Sequence, residues 1–547
     1  MKTRDEVTAD KLRGGFYTPD GLVDLCLARI AALTRGRSGL RLLEPSSGDG
    51  AFIRGVARSS IRDRVESVDA VELLESEAAK CAVTIEESAF EGSVATCSAI
   101  EWAATSDALF DAAMGNPPFV RFQFVSKQDR GFAEALAQRL GSSFAGVSNL
   151  WLPVLLGALS RLRTGGVFAF VVPAECFTGV SAGALRSWLV HNTGALRFDL
   201  FAPGSFPQVL QEVVVLSGRR VEANTGPVTC TITEHPRAGR ATSAEHVIKS
   251  GRESWTRYLL SGDQLDAVEE AARLAVVSKL GLLARFEVAA VTGANDYFSV
   301  DSSTLDAFDL RPWSRALLPR IRHAPGLRYT DTDHALADAA GARVHLLDFS
   351  ADRPDPEKHQ KPVAYLETGT DDELHLRYKC RIRKPWYRVP FIRSGELMLS
   401  KRSHHYPRVV LNEAGVVTTD TIYRGTAQGQ LVGHAADLAA GFHNSLTLLS
   451  AELEGRSFGG GVLELVPSEV SRLLVPFVPG FAEELDRLDS IARAVDESQD
   501  LVDETDRLLA KADVGFDQAL IDRLASGRAA LLQRRLDRTD NCCRVGD

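Results

Sequence analysis

The residues best suited to chemistry are Gly115-Asn116-Pro117-Pro118-Phe119. Two prolines fix φ at both positions and remove two backbone donors. Each also biases the residue before it away from the helical region. The stretch therefore reads as a stiff loop that presents the Asn116 amide and bare carbonyls. That equipment suits a planar amine, whose NH2 has two hydrogens to donate. The Asn116 amide oxygen can take one and a carbonyl near Pro117 the other, while Phe119 stacks on the ring that carries the amine. Asn-Pro is also an ordinary turn dipeptide, so the loop alone does not decide the matter.

A second polar set surrounds Gly48-Asp49-Gly50. Leu40 to Leu43 reads as a strand, Glu44-Pro45-Ser46-Ser47-Gly48-Asp49-Gly50 as a tight turn, and a helix follows from Phe52. Such a turn lets a small polar ligand approach the backbone. It is not the full dinucleotide pattern, because Ile53 stands where the third glycine belongs, and the glycines are too few for a phosphate cradle. About 20 residues further on, Ser67-Val68-Asp69-Ala70-Val71-Glu72 reads as a second strand ending in a carboxylate, which can accept two hydrogen bonds from a ribose diol. Upstream, Thr18-Pro19-Asp20 marks a helix start, with Thr18 as cap and Pro19 at the first helical position. A plain cap, a helix-packing turn and a solvated acid are the bland readings of these positions.

These loops need strands and helices to hold them, and the chain can supply them. Its 547 residues suffice for two or three domains and a large core. Phe110 to Met114 reads as the buried strand behind the Asn116 loop, and an apolar helical face runs from Leu22 to Leu33. The 63 basic and 72 acidic residues give a net charge of -9, so any nucleic-acid binding must rest on local patches. No apolar run approaches the roughly 18 residues of a membrane span, and the N-terminus lacks the apolar core of a signal peptide. Eight scattered cysteines without a Cys-x-x-Cys pair read as reduced cytoplasmic thiols, with no metal site or disulfide frame expected.

Thr18-Pro19, Glu44-Pro45-x-x-Gly48-x-Gly50-x-Phe52, Glu72 and Asn116-Pro117-Pro118-Phe119 occur in the order used by gamma-class DNA adenine-N6 methyltransferases, and the chain most resembles their TaqI-like group. The likeness continues through Ser148-Asn149-Leu150-Trp151, the strand Val167 to Pro173, Gly204-Ser205-Phe206-Pro207-Gln208 and the strand Glu212 to Ser217, so it covers residues 14 to 220. It implies a class I S-adenosylmethionine-dependent methyltransferase fold, a Rossmann-like doubly wound α/β sheet. It also implies that Thr18, Glu44, Pro45, Gly48, Gly50, Glu72, Leu73 and Asn116 hold S-adenosylmethionine. Asn116, Pro117, Pro118 and Phe119 would grip the target adenine amine, and Phe119 and Phe206 would stack on the flipped base. One departure stands out. The family often carries an acid that touches the cofactor's adenine amine where Cys97-Ser98-Ala99-Ile100 offers Ser98 here, so affinity falls or another group replaces the acid.

The second half is less explicit. Residues 377 to 408 hold ten Lys and Arg side chains against the single acid Glu396, with Tyr378, Trp386, Tyr387 and Tyr406 interleaved. On an acidic chain this segment reads either as the surface for phosphate contact and base readout, through Arg377, Lys379, Arg381, Arg383, Lys384, Trp386, Tyr387, Lys401 and Arg402, or as a solvated basic face. Lys384 to Tyr387 and Phe458 to Leu463 also resemble the specificity domains of such methyltransferases. Leu485, Leu488, Ala492 and Val495 keep a helical spacing that suggests a packed helix or a subunit contact.

The expected organisation is a catalytic domain over 1–225, a linker with a helix over 226–285, an α+β target-recognition domain over 286–480, and a helical C-terminal segment and tail over 481–547. The expected function is transfer of a methyl group from S-adenosylmethionine to the N6 amine of an adenine in double-stranded DNA. The setting would be the cytoplasm and a restriction-modification or defence system, with cognate restriction or defence proteins as partners. The pattern begins at Gly14, so no N-terminal nuclease domain is expected. The alternatives are an RNA-base or protein-glutamine methyltransferase, or a modification subunit that needs a partner.

Overall fold

Residues 110–115 form a strand that is buried at every position, so both of its faces are covered. They lie near the centre of the first of two units, which span Met1–Leu259 and Leu260–Asp547. The computed structural model describes residues 18–122, 125–144, 149–177, 182–202, 205–206, 213–224, 226–248, 250–251, 254–390, 392–458, 461–495 and 498–537.

In chain order the first unit has α1 (Asp20–Leu33), β1 (Leu40–Glu44), α2 (Ala51–Arg58), β2 (Val65–Glu72), α3 (Glu75–Glu87), β3 (Glu91–Thr96), α4 (Ala99–Thr105) and β4 (Phe110–Gly115). It continues with α5 (Lys127–Arg139), α6 (Trp151–Ser160), β5 (Leu162–Pro173), α7 (Gly183–Asn192), β6 (Thr193–Phe201), β7 (Val213–Arg220), β8 (Val228–His235) and β9 (Thr242–Ile248). The nine strands form one sheet in the order β3-β2-β1-β4-β5-β7-β6-β8-β9. β1 to β5 are parallel, and β7 is antiparallel to β5 and β6. This is the class I methyltransferase fold that the resemblance implies.

Helices cover both faces of the sheet, and β5 shows why. Phe168, Phe170 and Val172 enter the core beneath Trp151, Leu155 and Trp255, while Val167, Ala169 and Val171 enter the opposite core with Leu22, Val23, Leu27, Phe52 and Ile53. The two-residue period of a strand thus feeds two apolar layers. The strand order reverses between β1 and β4, and ligands of such sheets bind outside the carboxyl ends at that point. Glu44 ends β1, Glu72 ends β2 and Gly115 ends β4, so the three expected site segments leave the same edge.

The expected linker over 226–285 is corrected. Its first part is β8 and β9, and β8 pairs with β6 from Leu196↔Cys230 to Phe201↔His235. Val228, Cys230 and Ile232 alternate inward and need the sheet to cover them. The boundary therefore falls after Leu259. The expected helix is α8 (Gly262–Ala271), started by a capping box between Ser261 and Gln264.

In the second unit a five-stranded sheet runs in the order 284–288, 422–427, 397–400, 409–412, 328–329, and a smaller one joins 299–300, 345–347, 314–318 and 417–418. Helices α9 (Tyr378–Arg381), α10 (Ser445–Glu454), α11 (Leu485–Ala494), α12 (Gln499–Lys511) and α13 (Gln518–Leu536) belong to it as well. The C-terminal helices are integral to this unit. Leu485, Leu488 and Ala492 are buried, whereas α11 ends at Ala494 and leaves Val495 exposed, which corrects the longer stripe.

Arg535 of α13 is buried with Glu452 of α10 at 2.9 Å (Nε–Oε2) and donates to the carbonyl of His404 at 2.5 Å and to that of Gly461. Arg535→Ala leaves the Glu452 carboxylate buried without its cation, which costs about 3–5 kcal/mol. The expected result is a clear loss of unfolding free energy in urea, and an unchanged midpoint would refute this account of how the helix is anchored. Among the described residues no helix is long and apolar enough to cross a membrane.

Candidate active site

The Asn116 loop is tied from two sides. The Asn116 side-chain Nδ2 donates to Thr18 Oγ1 at 3.1 Å, and the Ser46 hydroxyl donates to the Asn116 backbone carbonyl at 3.2 Å. Among the described residues the buried Asn116 Oδ1 has no hydrogen-bond partner. An unpaired buried acceptor is costly in the free protein, and it is what a donor-bearing ligand relieves. The Pro118 carbonyl is taken by the Val120 amide at 3.0 Å, whereas the Pro117 and Phe119 carbonyls accept no backbone amide among the described residues. Pro117 is buried, and Phe119 is half-buried, its ring held against both core layers of the sheet. Phe206 lies edge-on to Phe201 at 5.0 Å and faces Gly21 near the start of α1. Ser148, Gly204, Pro207, Gln208 and Glu212 lie outside the described residues.

The Gly-rich turn is built by two left-handed glycines. Gly48 has φ +53° with open space where a Cβ would stand. Gly50 has φ +86°, and a Cβ there would meet the Thr84 side chain at 3.0 Å. Glu72 braces the turn, since its carboxylate accepts the Gly48 amide and the Leu74 amide, each at 2.9 Å. Leu73 beside it is 62% exposed. Glu44 is fully buried, and one of its oxygens, Oε2, has no partner among the described residues. Burial and then the nearby Asp49 hold its acid well above the ordinary carboxylate range.

A buried carboxyl with one oxygen unpaired among the described residues, a second carboxylate at the neighbouring strand end, an open glycine turn and an exposed leucine fit a ligand that carries cationic groups, a ribose diol and a flat base, and the Asn116 oxygen is left for a separate donor. Glu44, Gly48, Gly50, Glu72 and Leu73 are the residues that would hold S-adenosylmethionine. Thr18, expected as a cofactor contact, has its hydroxyl on Asn116, and Pro45 packs beside Gly115. Ser46 and Leu74 were not foreseen. Ser46 stood inside the Gly-rich motif, but nothing in the spacing showed that its hydroxyl crosses to the Asn116 loop.

Ser98 carries no acid of its own, and the fold brings one beside it. Ser98 caps α4 by accepting the Glu101 amide at 3.1 Å, and its hydroxyl donates to the Asp129 carboxylate of α5.

The basic segment of the second unit divides. Arg377, Lys379, Arg381 and Lys384 are exposed, as are the apolar side chains of Tyr378 and Ile382 among them. Three expected DNA-facing residues are corrected. Arg383 is half-buried and donates to the carbonyls of Thr292 at 2.6 Å and of Val291. Tyr387 is buried with its hydroxyl on Glu357 at 2.8 Å, and Trp386 packs on Tyr297 and Phe298. Burial of apolar area and of backbone acceptors outweighs the local run of charge at these positions. Arg402 pairs with Glu464 at 2.5 Å, and Lys401 is half-buried.

Residues 65–203 match the family described as Eco57I restriction-modification methylase, and residues 252–510 match the C-terminal domain of the type II methyltransferase M.Eco57I. The first match takes in Glu72 and the Asn116 loop, and the second falls almost wholly in the second unit. The type II methyltransferase M.XamI of Xanthomonas campestris pv. amaranthicola is 21% identical over 471 residues, 85% of each chain. The type IIL restriction-modification enzyme MmeI, solved in complex with DNA, is 12% identical and superposes with a TM-score of 0.54 over 97% of this chain and 80% of its own. That likeness shows a shared fold. The type IIG restriction endonuclease BpuSI is 15% identical with a TM-score of 0.40, and this chain spans 66% of its length.

Proposed function

We propose that this chain, a relative of restriction-modification methyltransferases in both of its units, transfers a methyl group from S-adenosylmethionine to the N6 amine of adenine in double-stranded DNA. The observation that carries the reading is Asn116 Oδ1, a buried acceptor at the carboxyl end of β4 without a partner among the described residues, on an amide held by Thr18. S-adenosylmethionine supplies an activated methyl group on a sulfonium, so the protein's task is positioning. An adenine amine is a poor nucleophile, because its lone pair is delocalised into the ring. Asn116 Oδ1 and the Pro117 carbonyl would take its two hydrogens, favour a tetrahedral nitrogen and offset the positive charge that develops there. Phe119 and Phe206 would replace the stacking lost when the base leaves the duplex. The reading places the enzyme in the cytoplasm, within a restriction-modification or defence system.

The direct test is to incubate the purified full chain with labelled cofactor and duplex DNA, digest the DNA to nucleosides and identify the product. N6-methyladenine is expected. Label only in RNA or in protein glutamine, offered in parallel, would refute the substrate class.

Exposed Arg377, Lys379, Arg381 and Lys384 support DNA binding by the second unit; the cleft that takes in Lys384 is of mixed charge, with Asp348 and Asp352 beside Arg315, Arg383, Arg388 and Arg393. Changing Arg377 and Arg381 together to alanine should weaken duplex binding and reduce the slope of log affinity against log salt by about 0.9 for each phosphate that is no longer neutralised. Arg383→Ala should leave that slope unchanged and lower thermal stability, because its guanidinium is spent on backbone carbonyls. The reverse pattern would make Arg383 the DNA-binding residue.

A further inference from the structure

The sequence leaves a gap beside the end of β3, and the fold fills it from a distant helix. β2 and β3 run parallel, with Glu72 opposite Thr96, so Ser98 lies two residues past a strand end that adjoins the Glu72 strand end. Asp129 arrives there from α5. Its Oδ1 accepts the Ser98 hydroxyl and its Oδ2 accepts the Ser126 hydroxyl at 2.7 Å, while its own amide donates to Ser126 Oγ at 3.0 Å. Both carboxylate oxygens are therefore fixed, and each keeps a further lone pair. The surroundings are partly apolar, since Cys97, Trp102 and Phe122 pack against the core at this place. Burial, then Glu101, then Asp129 push the Cys97 thiol up, which sets both carboxylates beside it.

The methyl-bearing end of the cofactor must face Asn116 at the end of β4, so with the ribose hydroxyls on Glu72 of β2 the base points the other way along the edge, towards β3. An adenine there presents one exocyclic amine and needs an acceptor. Ser98 gives its hydroxyl hydrogen to Asp129 and accepts the Glu101 amide, so it keeps one neutral lone pair, a weaker acceptor than the charged oxygens of Asp129. We propose that Asp129, held by Ser98 and Ser126, is the acceptor that distinguishes the adenine of the cofactor by its amine. The proposal rests on the S-adenosylmethionine reading above. It assigns base selectivity to a residue 31 positions from the motif that would ordinarily carry it.

The test is calorimetric binding of S-adenosylhomocysteine and of S-inosylhomocysteine, which has an oxygen in place of the amine, to the full chain. The wild type should prefer the adenine form. Asp129→Ala should lose about 10-fold or more of affinity for the adenine form, the scale of a lost hydrogen bond to a charged group, and little for the inosine form, so that the preference collapses. Ser98→Ala, which removes the tether and keeps the carboxylate, should narrow the preference without abolishing it. Equal weakening of both ligands by Asp129→Ala would mean that Asp129 only shapes the loop, and would overturn the proposal. So would a preference that survives Asp129→Ala and collapses in Glu101→Gln. A wild type that binds neither ligand would overturn the cofactor reading together with this one, whereas binding of both without preference would overturn this one alone.

Discussion

Asn116→Ala should lower methylation turnover by on the order of 10²-fold or more, the scale seen when one preorganised group facing a transition-state charge is removed. The reason is timing. The amine of a ground-state adenine is planar and nearly neutral, and its hydrogens interact only modestly with an amide oxygen. As the nitrogen attacks, it pyramidalises and gains positive charge, and the same oxygen then interacts more strongly. An interaction that grows along the reaction raises turnover, whereas one present from the start mainly tightens binding. Asn116 Oδ1 is buried and unpaired among the described residues, so it need not leave another partner to do this. Cofactor affinity should barely change, since Glu72 and Gly48 are untouched. Asn116→Asp keeps an oxygen but adds charge and loses the donor that Thr18 accepts, so it should not restore full turnover. Near-normal turnover in Asn116→Ala would remove this loop from the chemistry.

Glu72→Ala should weaken S-adenosylmethionine binding by about one to two orders of magnitude, the range for hydrogen bonds to a charged group. Two effects combine. The acceptor for the ribose diol is lost, and the amides of Gly48 and Leu74, which Glu72 holds at 2.9 Å each, are released. The Gly-rich turn then loses the brace that keeps Gly48 in its left-handed conformation. Glu72→Gln retains an oxygen for one of those amides and should fall between the wild type and alanine. Duplex retention in a gel assay should remain largely intact in both. Lost DNA binding with unchanged cofactor binding would make Glu72 a structural residue and displace the proposed cofactor site.

The positions of the chemical segments were legible because their signals are local. Two prolines in a row restrict dihedral angles wherever they occur, and glycines at positions 48 and 50 accept positive φ without help from the rest of the chain. An apolar run such as Phe110 to Met114 can be read as a buried strand, and so the loop after it can be placed at a strand end. The order of these pieces along the chain was enough to suggest the doubly wound sheet. Val228 to Ile248 reads as linker in the sequence because an eighth and a ninth strand lie beyond the motifs that mark such sheets, and nothing local shows which strand they join.

Tertiary structure alone decided which polar groups are free. Asn116 meets Thr18 across 98 residues, and Ser98 meets Asp129 across 31. No spacing rule connects such pairs, because the distance between them is set by how helices and strands pack. The same holds for charge. Arg381 and Arg383 are indistinguishable in a basic run, yet one is exposed and the other is turned onto the carbonyls of residues 291 and 292. The sequence alone determined what kinds of group the chain can offer and roughly where along it. The fold determined which of their lone pairs and charges remain to be offered, because a hydrogen bond is satisfied or left open only by what a distant part of the chain brings within about 3 Å.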